Sequence, residues 1–216
     1  MSIPHLTGTY NTPFLLVKFE LPGDKHVLLN NVKLGEGLRA EVVKTVAHPG
    51  YRRLAYVNDI GLVFLANKVT SPTVNIGGSY PQANSKIMAA GYGYINEGQT
   101  ESNGLNKVEL NVATVEACKA HQQGFQSDIQ FCTTDIPLGH ATCTGDSGGP
   151  LWVDVDGAPR VVGIVSHASG EHQCGGKDSY GYFTYITPFI PWINNEIAKF
   201  ESEQKSNTTM PTSGKK

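Results

Sequence analysis

Short apolar segments rich in β-branched residues recur along the 216-residue chain, with turn residues between them. Eight can be read, in chain order: FLLVKFEL, HVLLNNVKL, EVVKTVAHP, DIGLVFLA, KIMAAGYG, KVELNVATV, PLWVDV and RVVGIVSHA. Many short strands without amphipathic helices between them indicate a sandwich or a barrel. The sequence therefore predicts an all-β fold, which at this length is one large domain or two small ones.

One helix is predicted, close to the C-terminus. The segment WINNEIAKFESEQ follows two prolines and places Ile193, Ile197 and Phe200 on one helical face. We expect this helix over about 190–204, packed on the strands. Residues 205–216 are polar and punctuated by Pro and Gly, which predicts a disordered tail.

The charge balance limits the partners that this chain can have. Lys and Arg total 17 and Asp and Glu total 19, which gives a net charge of −2. No overall field attracts nucleic acid or an acidic membrane surface. No apolar run approaches the roughly 20 residues of a membrane helix, and the first residues lack the pattern of a signal peptide. We expect a soluble monomer without nucleic-acid or membrane partners.

The four cysteines form an even set without any Cys-x-x-Cys pair, namely Cys118, Cys132, Cys143 and Cys174. This arrangement disfavours a zinc site and permits two disulfides, which points to an oxidising compartment. No two histidines have an obvious metal-ligand spacing. We therefore expect neither a metal nor another cofactor.

The segment CTGDSGGPL at residues 143–151 carries the clearest chemical signal. Its glycines would let the backbone approach a carbonyl group and direct N–H groups at it, and Ser147 would be a nucleophile. A serine hydroxyl is a weak nucleophile, so it needs an imidazole base and a carboxylate that orients the base. Taken alone, such a segment is more often a flexible turn.

Further segments make the pattern specific. With GDSGGP they resemble the trypsin/chymotrypsin family of serine endopeptidases, whose triad serves as a general template for this chemistry. The matching segments are His48-Pro49-Gly50-Tyr51, Asn58-Asp59-Ile60-Gly61-Leu62 with Asp59 11 positions after His48, Ala90-Gly91-Tyr92-Gly93, Gly163-Ile164-Val165-Ser166 and Pro191-Trp192-Ile193. The resemblance implies two six-stranded antiparallel β-barrels and a C-terminal helix. The first barrel, over about 1–80, would be incomplete, and the second would span about 85–190.

The resemblance also implies roles for individual residues. Ser147 would attack a peptide carbonyl, Asp59 would orient the base, and the amides of Gly145 and Ser147 would form the oxyanion hole. Ser166 would support Asp59 and pair with the substrate backbone. The implied disulfides are Cys118 with Cys132 and Cys143 with Cys174.

The specificity pocket can be assigned in the same way. Its floor falls on Ala141, and its walls fall on Ala168 and Gly181. Trypsins have an aspartate at the floor position, so the alanine leaves no partner for Lys or Arg. We expect small to medium apolar side chains to be preferred, because each excluded methylene shifts preference by only ~1–3 kcal/mol.

The N-terminal side departs from the family pattern. The best candidate for the base is His5, in Ser2-Ile3-Pro4-His5-Leu6, whereas His26 and His48 read as loop residues. The family's Ile-Val-Gly-Gly start is missing, and with it the ammonium group that would pair with Asp146.

Three interpretations remain open at this stage. The chain is part of a secreted endopeptidase that cleaves proteins or peptides and is blocked by protein inhibitors; or it is an inactive homologue that serves as a binding module or an inhibitor. The third is a product that folds poorly, because a barrel without its first strands exposes an edge and part of its core.

Overall fold

The computed structural model describes residues 26–70, 72–134, 139–169, 174–176 and 179–206, and the backbone alone of 14–17 and 207–208. The strands are β1 Phe14–Val17, β2 His26–Leu29, β3 Leu38–Ala47, β4 Gly61–Leu65, β5 Asn75–Ile76, β6 Lys86–Gly91, β7 Asn106–Asn111, β8 Gln130–Thr134, β9 Pro150–Val155, β10 Ala158–Ser169 and β11 Tyr180–Tyr185. The helices are α1 Val115–His121 and α2 Ile190–Thr208, and a 3₁₀ turn covers Thr187–Phe189.

The first sheet is a four-stranded antiparallel half-barrel in the order β1-β4-β3-β2. All five residues of β4 are buried, because successive side chains of a strand point to opposite faces and both faces of β4 are covered. Val63 and Leu65 belong to the core of this sheet. Leu62 and Phe64 face the other way and pack with the residues of α2.

The second sheet closes into a barrel. Its path is β7-β6-β9-β10-β11-β8, with β5 paired to β10 at the side. A bridge between Val112, just after β7, and Thr133 of β8 joins the two ends of this path. The core inside contains Leu110, Phe131 and Leu151. This barrel, the half-barrel and the C-terminal helix confirm the predicted all-β fold.

The C-terminal helix packs as the apolar spacing predicted. Ile193, Ile197 and Phe200 are buried against β4, and the Phe200 ring stacks on Phe64 with 4.4 Å between centroids. The helix continues to Thr208, so its last four residues lie where a disordered tail was expected.

Contacts of the last turns account for the longer helix. The Ser202 hydroxyl donates to the Lys199 carbonyl, and the Ser206 hydroxyl donates to the Ser202 carbonyl. Glu203 also forms an ion pair with Lys44 of β3, at 2.6 Å. Neither helix in the described part of the chain is long and apolar enough to cross a membrane.

Candidate active site

The segment that contains Ser147 is a tight turn in front of β9. The Asp146 amide donates to the Cys143 carbonyl at 3.0 Å, and the Gly149 amide donates to the Asp146 carbonyl at 2.8 Å. Gly145 has a φ of +98°, a conformation that favours glycine. No backbone carbonyl of the described residues accepts a hydrogen bond from the amides of Gly145 or Ser147.

The Asp146 side chain turns inward and fastens this turn to the second barrel. Its Oδ1 accepts a hydrogen bond from the Gly93 amide and its Oδ2 accepts one from the Cys143 amide, each at 2.8 Å. Burial raises the pKa of the Asp146 carboxyl, and the two amide donors oppose this shift. The carboxylate lines a cavity of about 270 Å³ together with Ala141 and His140.

Asp59 is fully buried just before β4. The Ser166 hydroxyl donates to its Oδ2 at 2.5 Å, and the Thr184 hydroxyl donates to its backbone carbonyl at 2.8 Å. Burying an ionised carboxylate is costly unless donors replace the water that it loses. The two hydroxyls therefore hold Asp59 in a fixed position.

Ser166 owes its place to an irregularity of β10. Val165 pairs with Phe183 and His167 pairs with Tyr182, so Ser166 is the extra residue of a β-bulge. In a regular strand, neighbouring side chains point to opposite faces. The bulge instead brings Ser166 and His167 together, with 3.0 Å between Ser166 Oγ and His167 Nδ1.

A cavity of about 210 Å³ joins several of the residues singled out in the sequence. None of the described residues around it carries a formally charged side chain apart from an ionisable histidine. They are Tyr56, Thr142, Cys143, Thr144, Gly145, Ser147, Val165, Ser166, His167 and Ala168.

Two expected pocket residues do not line this cavity. Ala141 lines the cavity of Asp146 instead, and Thr142 is the neighbour that reaches both. Gly181 pairs with Ala168 across β10 and β11, but a Cβ on residue 181 would meet the Phe183 ring at 2.8 Å and so would face the barrel interior. The two predicted wall residues therefore pair with each other across β10 and β11, but of the two only Ala168 lines the cavity of Ser147.

The five described histidines lie in varied surroundings. His48 packs edge-on against Phe189 and Trp192, its Nδ1 accepts from the Gly50 amide, and burial lowers its pKa. The others are His26, which pairs with Glu41 in β2 and β3; His121, whose Nδ1 contacts the Ala117 carbonyl; His140, in the cavity of Asp146; and His167. The predicted base, His5, lies outside the described residues, as does His172.

The sequence reading gave no role to Tyr56 or Gln122. The Tyr56 ring stacks on His167 with 4.0 Å between centroids, and Gln122 Oε1 lies 2.7 Å from His167 Nε2. Only the position of Tyr56, three residues before Asp59, could have suggested its place. Within the described ranges, no group of three His, Cys, Asp or Glu side chains could hold a metal ion.

The disulfides Cys118–Cys132 and Cys143–Cys174 are both present, in the pairing that the resemblance implied. The second disulfide lines the cavity of Asp146. The first fixes the middle of α1 to β8, which bears on His167 because Gln122 caps this helix.

Comparisons with known proteins agree with this geometry. The Trypsin family model matches residues 20–193, a range that begins after His5. The chain is 31% identical over 171 residues to CLIP domain-containing serine protease B4 of Anopheles gambiae, covering 73% of this chain and 46% of that protein. It is 28% identical over 176 residues to human Serine protease 1, covering 78% and 68%.

A third relative is vitamin K-dependent protein C of Oryctolagus cuniculus, 27% identical over 184 residues, with 78% of this chain and 40% of that protein covered. The chain thus spans about half the length of several relatives that it matches. Since the family model covers most of the sequence and the barrel and the Ser147 turn agree with it, the chain belongs to the trypsin family of serine proteases.

Proposed function

We propose that this protein is a serine endopeptidase that acts through Ser147. The observation that carries the proposal is the turn that presents Ser147 and two amides to the same cavity as Ser166. Asp59, held by the Ser166 hydroxyl, orients the base in this proposal. His5 is the base, because it is the histidine that the sequence pattern favours.

The reaction is an acyl transfer in two stages. Ser147 Oγ attacks the peptide carbonyl carbon while His5 accepts its proton, and the amides of Gly145 and Ser147 bind the resulting oxyanion. When the C–N bond breaks, His5 gives the proton to the leaving amine, and an acyl-enzyme remains. Water then attacks the ester, again with His5 as base, and the carboxylic acid leaves as Ser147 regains its proton.

The cavity supports a preference for small to medium apolar residues over Lys or Arg. No described lining residue offers a carboxylate, and the about 210 Å³ available suits a modest side chain. Thr142 lines this cavity and is the neighbour in sequence of Ala141, the residue that we had expected at its floor. We further propose that the protein is secreted and monomeric, acts on protein or peptide substrates, and is subject to protein inhibitors.

The first test is covalent labelling of the purified protein with a fluorophosphonate, read by intact mass. We expect one label per chain, and none on Ser147→Ala. His5→Ala should label at least a hundredfold more slowly, since losing a general base costs about 10²–10⁴ in rate. A folded chain that does not label would contradict the proposal.

One observation favours a second candidate, an inactive homologue that binds proteins. In the first sheet Val17 of β1 pairs with Gly61, two residues from Asp59, whereas Phe14 pairs with Phe64 at the far end. The end of β1 that lies near Asp59 therefore continues in sequence into Lys18, not into a histidine.

His5 precedes the other end of β1, so residues 6–13 must bring it back along the strand to reach Asp59. Eight residues can span roughly 27 Å, and a four-residue strand is only about 13 Å long, so the length allows it. A fast reaction of His5→Ala with the label would assign the base elsewhere. Folded protein without labelling, together with capture of a protein partner, would favour the second candidate.

A further inference from the structure

His167 contacts two tyrosine rings and has a polar partner at each ring nitrogen. Its ring stacks on Tyr56 at 4.0 Å and on Tyr182 at 5.0 Å between centroids, with interplanar angles of 14° and 9°. Its Nδ1 lies 3.0 Å from Ser166 Oγ, and its Nε2 lies 2.7 Å from Gln122 Oε1. The orientation of the ring is thereby set by two stacked rings and two hydrogen bonds.

The partners of His167 are themselves fixed. The Tyr182 hydroxyl donates to the Cys118 carbonyl at 3.1 Å. The backbone N–H of Gln122, the residue that caps α1, donates to the same carbonyl. Cys118 is buried and bonded to Cys132. His167 therefore stands on a rigid support that joins α1 to β11.

Counting protons determines the direction of the hydrogen bonds. The Ser166 hydroxyl has one proton and two lone pairs, and the 2.5 Å contact with Asp59 Oδ2 uses this proton. A carboxylate only accepts. With Asp59 ionised, the 3.0 Å contact with His167 uses a lone pair of Ser166 Oγ and a proton on Nδ1.

We propose that His167 is a positioning residue for the reaction of Ser147, an inference that rests on the proposed hydrolytic function. Its Nδ1–H donates to Ser166 and keeps the Ser166 proton directed at Asp59. Consecutive hydrogen bonds polarise each other, so a donor to Ser166 strengthens the bond from Ser166 to the buried carboxylate. His167 thus acts through Ser166 and Asp59 and needs no contact with the reacting atoms.

The proposal predicts an unusual tautomer. A neutral ring that keeps its proton on Nδ1 has a bare Nε2, which must accept from the amide NH₂ of Gln122. A charged ring has protons on both nitrogens and bonds the Gln122 oxygen. A half turn of the Gln122 amide interchanges the two atoms, so Nδ1 carries a proton in either state.

Nitrogen-15 NMR of the histidine rings tests this prediction without any catalysis. The His167 signals are assigned by their loss in His167→Phe. At about pH 8.5, where an unperturbed histidine is neutral, we expect a protonated Nδ1 and a bare Nε2. In Ser166→Ala the Nδ1–H loses its acceptor, and the proton should shift toward Nε2. A wild-type ring protonated at Nε2 alone would overturn the proposal.

The rate of fluorophosphonate labelling tests the effect on Ser147. Phenylalanine at 167 retains a ring for both tyrosines but removes the donor, whereas the side-chain amide of asparagine keeps an N–H near the place of Nδ1. We expect His167→Phe to label about three- to tenfold more slowly, as for the loss of one neutral hydrogen bond. His167→Asn should label several times faster than His167→Phe.

His121 provides a matched control. It also stacks on a tyrosine, Tyr180, at 4.0 Å, but its Nδ1 contacts the Ala117 carbonyl instead of Ser166. His121→Phe should leave the labelling rate unchanged. Equal slowing by phenylalanine and asparagine at 167 would show that the donor is irrelevant and would refute the proposal. If wild type does not label, the proposed function fails and the role of His167 in the reaction fails with it, while the NMR result still decides whether His167 donates to Ser166.

Discussion

A single methyl group at Gly93 should loosen the turn that presents Ser147. A Cβ atom on residue 93 would lie 2.6 Å from Oδ1, 2.7 Å from Cγ and 2.8 Å from the backbone nitrogen of Asp146. All three distances are too short for a carbon contact, and the backbone nitrogen cannot rotate away as a side chain can. Gly93 has no positive φ, so an alanine suffers from this crowding alone and not from the backbone conformation.

The magnitude follows from the geometry. Restoring an ordinary 3.4 Å contact with Oδ1 needs a displacement of about 0.8 Å. Along the bond from the Gly93 amide this would lengthen 2.8 Å to about 3.6 Å, which is no longer a hydrogen bond. Losing a bond to a charged acceptor costs about 1.5–3 kcal/mol, and keeping the overlap costs about 1–3 kcal/mol. These are alternatives and the protein adopts the less costly one, so Gly93→Ala should lower the free energy of unfolding by about 1–3 kcal/mol.

Guanidinium unfolding followed by fluorescence measures the stability. The rate of fluorophosphonate labelling measures the reactivity of Ser147, which depends on the turn. We expect the labelling rate to fall together with the stability, because Asp146 is bonded to both Gly93 and the Ser147 turn. The control is Gly98→Ala, where the nearest atom to the new Cβ is the flexible Asn96 Oδ1 at 3.3 Å. If Gly93→Ala is as stable as this control and labels at the wild-type rate, the account of the turn is refuted.

Three other changes test the fold around the site. Serine at both Cys143 and Cys174, 31 positions apart, should cost about 3–4 kcal/mol, read from the denaturant midpoint. Gly163→Ala puts a Cβ 2.6 Å from the Phe131 ring and should cost about 1–3 kcal/mol in the same assay. Burial lowers the pKa of His48 from its usual 6.5, so the folded state binds fewer protons than the unfolded state. The free energy of unfolding should therefore fall as the pH drops below 6.5, and His48→Gln should flatten this fall. An unchanged midpoint in the first two tests, or an unchanged pH profile in the third, would count against the contacts named.

The all-β class could be predicted because apolar periodicity and turn residues are local properties of a sequence, and the barrels followed from the family resemblance. The helix end could not be placed from composition. Residues 205–208 look like a tail when read alone, but Ser206 bonds back to Ser202, and Glu203 reaches Lys44 from a distant strand. The contact between Glu203 and Lys44 depends on tertiary structure, which composition does not reveal.

The site also has features that the sequence predicts and features that depend on tertiary structure. Ser147 and Ser166 line one cavity, in keeping with the family resemblance. Counting back from Ser147 selected Ala141 for the floor, but which of two neighbours faces a cavity depends on side-chain direction, and Thr142 is the one that does. The bulge at Ser166 is a similar case, because nothing in Gly163-Ile164-Val165-Ser166 signals that the next side chain will lie on the same face.

The cost of burying Asp59 bears on the choice between the two candidate functions. A carboxyl group without exposure to water is costly to keep in a protein interior, most of all when it is ionised, and here Ser166 of the β-bulge donates to Asp59 and contacts His167. A surface that only binds proteins gains nothing from such a carboxylate, since recognition takes place at exposed groups. Catalysis does gain, because a fixed negative charge stabilises a base that becomes protonated in the transition state. The cost of burying Asp59 therefore favours the proposed hydrolysis over the binding module. Activity then depends on the position of the base.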